Sequence, residues 1–202
     1  MKVVIAPDSF KESMSAKEVC DCAERGILSL FPDWEIVKVP MADGGEGTVE
    51  SLIDGTNGKI YNEETLDPLG EKIVSKYGVL GDKNIAIIEM ATTSGLELIP
   101  ESKRNPYITT TYGTGQLMLK ALDHNVEKII LGIGGSATTD GGAGMLQALG
   151  AKLIDKEGKE IGFGGFELGK LENIDFSGLD ERLKNVEILV ACDVNNPLTG
   201  KN

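Results

Sequence analysis

The sequence predicts an α/β fold, and three observations carry that expectation. Residues 3–39 read strand, helix, strand, the pattern of a right-handed parallel crossover. Residues 59–90 hold three strand-like runs joined by short turns, which favours antiparallel pairing. Between the apolar run Lys128 to Leu131 and a helical pattern from Met145 lies Gly132-Ile-Gly-Gly-Ser-Ala-Thr-Thr-Asp-Gly-Gly-Ala-Gly144. A backbone so rich in glycine can turn tightly and approach a ligand closely. Placed between strand and helix, it can aim several N–H groups at an anion.

Taken in order, Val3 to Ala6 is a short buried strand that ends at Pro7. Ser15-Ala-Lys-Glu18 has the spacing of a capping box and starts a helix at Ala16. Val19, Ala23, Ile27 and Leu30 recur on one face until Pro32. Glu35 to Val39 is the second strand. Pro40-Met-Ala-Asp-Gly-Gly-Glu-Gly-Thr48 is a second glycine-rich loop, leading into a short helix that reaches about Ile53. Strands follow at 59–65, 72–77 and 85–89. The change of pattern near residue 65 marks the expected boundary between a unit at 1–65 and a unit at 66–202. Thr114 is expected to cap a helix carrying Leu117, Met118, Ala121 and Leu122. Asp140 is expected as the N-cap of a helix ending at Gly150. Strands at 151–154 and 159–161 flank a turn, a helix lies near 180–184, and Val186 to Cys192 is a last apolar strand.

Composition narrows the function classes. The 202 residues are 41% hydrophobic and 26% charged, as in an ordinary globular protein. A net charge of −12 argues against nucleic acid as a partner. An anionic substrate would then need a local Lys or Arg, or a metal ion. No stretch is long and apolar enough to span a membrane, the first residues read as a strand rather than a signal peptide, and cytoplasmic residence is the expectation. Cys20 and Cys22 point to different sides of one helix, so with Cys192 they form neither a disulfide framework nor a zinc site.

Asp8, Asp43 and Asp193 each stand just past the carboxyl end of a strand, Glu89 closes another, and Asp140 lies at the far end of the 132–144 loop. Ligands of open α/β sheets bind at strand carboxyl ends. Carboxylates gathered there suit Mg²⁺, which takes one or two of them plus waters and phosphates. One can also accept the proton of an attacking hydroxyl. Taken singly, each Asp also fits a turn former or helix cap. Lys11 is a point charge for a phosphate or carboxylate, or a solvated surface lysine. Arg104 offers a fork to a carboxylate but sits in a loop where exposed arginines are common. His124 is the single histidine, at a helix end, which excludes histidine triads and histidine-rich metal sites. Gly132-x-Gly134-x-x-Ala137, with Asp155 further on, fits the loose dinucleotide fingerprint. There, however, the helix begins within the fingerprint, whereas here 138–144 is still loop.

Five segments together carry a resemblance. Ala6-Pro-Asp-Ser-Phe-Lys11, the 40–48 loop, Ile88-Glu-Met-Ala91, Gly132 to Ala137 with Asp140 to Met145, and Ala191-Cys-Asp-Val194 with Asn196-Pro-Leu198 closely resemble the bacterial glycerate kinase family. The match runs in order along the whole chain. The resemblance implies ATP-dependent phosphorylation of D-glycerate to 2-phosphoglycerate, with Mg²⁺. It implies a flavodoxin-like parallel-sheet domain and an inserted domain of mixed sheet, with the site in the cleft between them. In its terms Asp8, Lys11, Asp43 and Asp193 are catalytic; Gly44, Gly45, Gly47, Gly134, Gly135, Ser136 and Thr138 hold ATP; and Asp43, Asp140 and Asp193 bind the metal. Thr139 stands where the family commonly has Asn. Family members are roughly twice as long, so the likeness is to their N-terminal half, and an incomplete sheet would favour homodimerisation. The alternatives are a non-catalytic remnant that binds an anion or nucleotide, and a dinucleotide-dependent oxidoreductase.

Overall fold

The computed structural model describes residues 1–10, 13–41, 47–81 and 84–192. The fold is mixed α/β. Strands β1 (Lys2–Ile5) and β2 (Glu35–Lys38) pair in parallel from Lys2↔Glu35 to Ile5↔Lys38, and helix α1 (Ala16–Leu30) crosses between them. The capping box forms as the sequence predicts. Ser15 Oγ accepts from the Glu18 N–H at 3.3 Å, and the Glu18 carboxylate accepts from the Ser15 N–H at 2.8 Å. Two orphan donors of the first turn are thereby satisfied. Past the paired strands the chains stay side by side, with Val39 N–H donating to Ile5 and Met41 N–H to Pro7.

The main sheet has five strands in the order β3 (Lys59–Leu66), β4 (Lys72–Val79), β5 (Ile85–Glu89), β6 (Lys128–Gly132), β9 (Glu187–Ala191). The β3–β4 and β4–β5 pairs are antiparallel, as short connections require, and β5, β6 and β9 run parallel to one another. The residue-65 boundary falls at the end of β3, whose eight residues all pair with β4. Residues 59–64 therefore share a sheet with the strands that follow them.

Helices cover both faces of the sheet. On one, α4 (Tyr112–Leu122) sets Leu117, Met118, Ala121 and Leu122 against Tyr77, Ala86, Ile88, Ile129 and Leu131. On the other, α2 (Thr48–Thr56) buries Val49 and Ile53 against Ile87. A fully buried Leu or Ile contributes about 1.5–3 kcal/mol relative to exposure. Gly78 is what lets α2 come so close, because a Cβ there would stand 2.6 Å from Ile53. A satellite core of Ala143, Ala151, Leu153 and Ile161 lies where α5 (Ala143–Ala148) meets the hairpin of β7 (Lys152–Asp155) and β8 (Leu171–Asp175). Between β5 and α4 lies the four-residue helix α3 (Ala91–Ser94).

Two helix starts differ from expectation. Helix α4 begins at Tyr112 with Thr111 at the N-cap, so Thr114 lies inside it, where buried hydroxyls of Thr93 and Ser94 meet it at 2.9 Å. Helix α5 is capped by Gly142 rather than Asp140, because left-handed glycines extend the loop two residues further. Strand β8 was not foreseen: Leu171-Glu-Asn-Ile-Asp175 has only two apolar residues to signal it. No helix among the described residues is long and apolar enough to cross a membrane.

Candidate functional site

Parallel pairing sets Glu89, Gly132 and Ala191 in one row at the carboxyl ends of β5, β6 and β9. The loops that leave this row rise from the same edge, the position where open sheets hold ligands. The second of them is the glycine-rich loop 133–142.

That loop is tied down along its length. Gly135 C=O accepts from the Leu96 N–H at 2.9 Å, and Ala137 N–H donates to Ser94 C=O at 2.8 Å. The Thr109 hydroxyl donates to Ala137 C=O at 2.8 Å and the Thr139 hydroxyl to Pro106 C=O at 2.7 Å. Gly135 turns in the left-handed region at φ 72°. Gly134, Gly135 and Ser136 are exposed, and their N–H groups have no acceptor among the described residues. The Ser136 and Thr138 hydroxyls stand beside them, 2.9 Å apart. Exposed N–H groups held beside anchored carbonyls present positive partial charge, which suits phosphate oxygens. The described part of the site thus fits the phosphates of ATP.

Asp140 closes the loop from within. It is 1% exposed, and four donors converge on it. Its Oδ2 accepts from the Thr111 N–H and hydroxyl, both at 2.8 Å, and from the Gly144 N–H at 3.1 Å. Its Oδ1 accepts from the Gly142 N–H at 3.2 Å. The hydroxyls below, Thr93, Ser94, Thr110 and Thr111, were not singled out from sequence. Their signal was the runs Thr92-Thr93-Ser94 and Thr109-Thr110-Thr111, which pack as a buried polar layer under the loop.

Beside this row sits the end of the other glycine-rich loop. Gly47, in the left-handed region at φ 89°, is the N-cap of α2. The Val49 N–H in that first turn donates to Glu89 Oε1 at 2.6 Å. Glu89 is 1% exposed, and its Oε2 is buried without a partner among the described residues. Burial pushes its carboxyl up to about 7, against the lowering effect of the Val49 N–H; nearby Glu50 raises it further and Lys76 opposes that. Lys76 and Glu50 form an ion pair at the mouth of this corner.

The remaining candidates divide. Asp8 is exposed after β1, and its Oδ1 accepts from the Ser9 N–H at 2.6 Å. Lys11, Asp43, Gly44, Gly45 and Asp193 lie outside the described residues. Among the described residues, no group of three or more His, Cys, Asp and Glu is placed to hold a metal ion. The Arg104 guanidinium donates to Ile99 C=O at 3.2 Å, which fastens its own loop. His124 Nε2 meets the Tyr77 hydroxyl at 2.9 Å and its ring lies 4.1 Å from that of Tyr61, a packing role. Asp155 accepts from the Glu157 and Lys159 N–H groups of its own turn. With α5 starting only at Ala143, the dinucleotide fingerprint lacks both its helix and its ribose acid.

The fold is that of an α/β protein with a row of exposed glycine-loop N–H groups at its strand ends, and comparison with known proteins narrows the class. A crystal structure from Salmonella typhimurium LT2, assigned provisionally as glycerate kinase 2, superposes with a TM-score of 0.86 at 56% identity, covering 99% of this chain and 54% of that one. The glycerate kinase family profile matches residues 3–202. The chain belongs to the glycerate kinase family. It is 59% identical over 200 residues to the glycerate kinase of Bacillus subtilis, covering 99% of this chain and 52% of the relative. It is 58% identical over 202 residues to the glycerate 2-kinase of Escherichia coli, covering 100% and 53%. The chain thus spans about half the length of the curated relatives it matches.

Proposed function

We propose that this chain carries the nucleotide-facing half of a D-glycerate kinase site, which transfers the γ-phosphoryl group of ATP to glycerate to give 2-phosphoglycerate. The observation that carries the reading is the row of exposed N–H groups at Gly134, Gly135 and Ser136 above β6, which have no acceptor among the described residues. In this reading the 133–142 loop binds phosphate oxygens through those N–H groups and the Ser136 and Thr138 hydroxyls. The 43–47 loop, with Gly44, Gly45 and Gly47, supplies a second set of donors. Lys11 neutralises charge that develops on the transferred group. Asp8, Asp43 or Asp193 accepts the glycerate hydroxyl proton.

Mg²⁺, when bound with ATP, supplies the positive charge that a protein of net charge −12 lacks around a polyphosphate. We assign its ligation to Asp43 and Asp193. Asp140 is the third candidate, but it is buried with both oxygens engaged, three donors on Oδ2 and one on Oδ1, and we assign it to holding the loop. The two lobes are the β1–α1–β2 unit and the five-stranded sheet with its helices, working in the cytoplasm.

A coupled assay of ADP release with Mg·ATP and D-glycerate tests the activity. Glycerate-dependent release is the expected result. A folded sample that gives none removes the catalytic reading. The exposed N–H groups at 134–136 also fit one second reading, a chain that binds nucleotide without turning it over. It predicts a thermal shift with Mg·ATP and no turnover.

A further inference from the structure

We propose that Glu89 is a positioning residue that ties the base of the 133–142 loop to the first turn of α2. This rests on the phosphoryl-transfer reading of the glycine-rich loops. The backbone of Glu89 pairs with Gly132, the residue from which the 133–142 loop departs, and the next N–H, that of Met90, donates to Gly132 C=O at 2.9 Å. Its side chain turns the other way and accepts from the Val49 N–H in the first turn of α2, directly after the 42–47 loop. One residue therefore joins the base of the 133–142 loop to the first turn of α2.

The contact is costly to build, which argues that it is not incidental. A carboxyl that is 1% exposed has one oxygen satisfied and the other, Oε2, buried with no partner among the described residues. A buried acceptor left unsatisfied weakens a fold, and such groups concentrate at functional sites. A glutamine here would satisfy Val49 equally well without desolvating an acid. The carboxyl instead sits where helix N–H groups and the Lys76 ammonium favour its charge while Glu50 and burial oppose it. The charged groups that face it are Glu50 on α2 and Lys76 on β4, which pair with each other. Its ionisation can thereby adjust how firmly the first turn of α2 is held against the sheet.

The test is amide hydrogen exchange on the full 202-residue chain without ligand, with native protein, Glu89→Ala, Glu89→Asp and Glu89→Gln, followed by Mg·ATP titration of each. Losing a charge-assisted buried bond is expected to speed exchange at residues 47–50 about tenfold in Glu89→Ala, with residues 112–122 and 128–132 changed by less than about twofold. Glu89→Asp, one methylene shorter, gives the same local pattern in weaker form and keeps the test open if the alanine variant does not fold. Glu89→Gln restores protection at 47–50, and in it both that protection and Mg·ATP affinity lose the dependence on pH between 6 and 8 that the native chain is expected to show. Mg·ATP affinity falls about tenfold in Glu89→Ala, in step with the loosened first turn of α2. Unchanged exchange at 47–50 in the alanine and aspartate variants, or an increase spread evenly over the sheet and α4, overturns the proposal. A native chain that binds no Mg·ATP defeats the phosphoryl-transfer reading instead, and the exchange pattern still decides the role of Glu89.

Discussion

Replacing Asp140 tests how the glycine loop is held. In Asp140→Ala four donors lose their acceptor at once: the Thr111 N–H and hydroxyl, the Gly144 N–H and the Gly142 N–H. Each buried donor left unsatisfied costs about 1–3 kcal/mol. The four share one cavity and can partly re-pair or admit water, so their costs do not add, and breaking a buried charged network typically costs about 3–5 kcal/mol. Against a total stability of about 5–15 kcal/mol, that is a large fraction. Asp140→Asn keeps one carbonyl oxygen, which can serve the three donors now on Oδ2 and leaves the amide against the Gly142 N–H alone. Its cost is expected at roughly half that of the alanine variant. Urea unfolding followed by circular dichroism gives both values. A loss below about 0.5 kcal/mol for Asp140→Ala, or an asparagine variant worse than alanine, would refute the idea that converging donors fix this carboxylate.

Three further outcomes follow from the same structure. Gly144→Ala places a Cβ onto the Thr110 hydroxyl and 2.7 Å from the Tyr112 nitrogen, and should lower stability by about 1–3 kcal/mol, read by thermal melting; Gly158→Ala, in open space at φ +80°, should cost only the left-handed strain of about 1–2 kcal/mol. Glu89 has a folded-state pKa raised to about 7 from 4.5, so the stability it contributes is full below 4.5 and is lost as pH rises through 7. At about 1.4 kcal/mol per pKa unit, native chain should lose up to about 3 kcal/mol between pH 4.5 and 8, and Glu89→Gln should show a flatter profile in urea titrations; equal slopes would contradict the burial argument. Ser15→Ala should destabilise by about 1 kcal/mol, with faster amide exchange confined to the first turn of α1.

The sequence made some of this architecture legible because local chemistry decided it. Ser15 and Glu18 make the capping box that their spacing predicts, and the apolar runs at 85–89, 128–131 and 186–192 form the strands they suggest, which the fold then pairs in parallel. The three strands at 59–89 pair antiparallel because their turns are too short for a crossover. What depended on distant partners was harder to read. Thr114 has the residue type of a cap, yet buried hydroxyls of Thr93 and Ser94 draw it inside α4. Asp140 has the look of a metal ligand or a cap, and only the fold brings Thr111 to it across twenty-nine positions. Glu89 was visible as the end of a strand, but nothing local announces that α2 will seal it from solvent. Strand β8 carries too few apolar residues to signal itself, and is held by its pairing with β7.

The central claim is that the loop above β6 receives the phosphates of ATP, and backbone amide shifts test it most directly. On titrating isotopically labelled chain with Mg·ATP, the Gly134, Gly135 and Ser136 amides should move together and saturate, while those of Glu157 and Gly158 in the distant β7 turn stay in place. Addition of D-glycerate should then release ADP. If those three amides do not respond to saturating Mg·ATP in a folded chain, the loop is not a phosphate site and the kinase reading built on it fails.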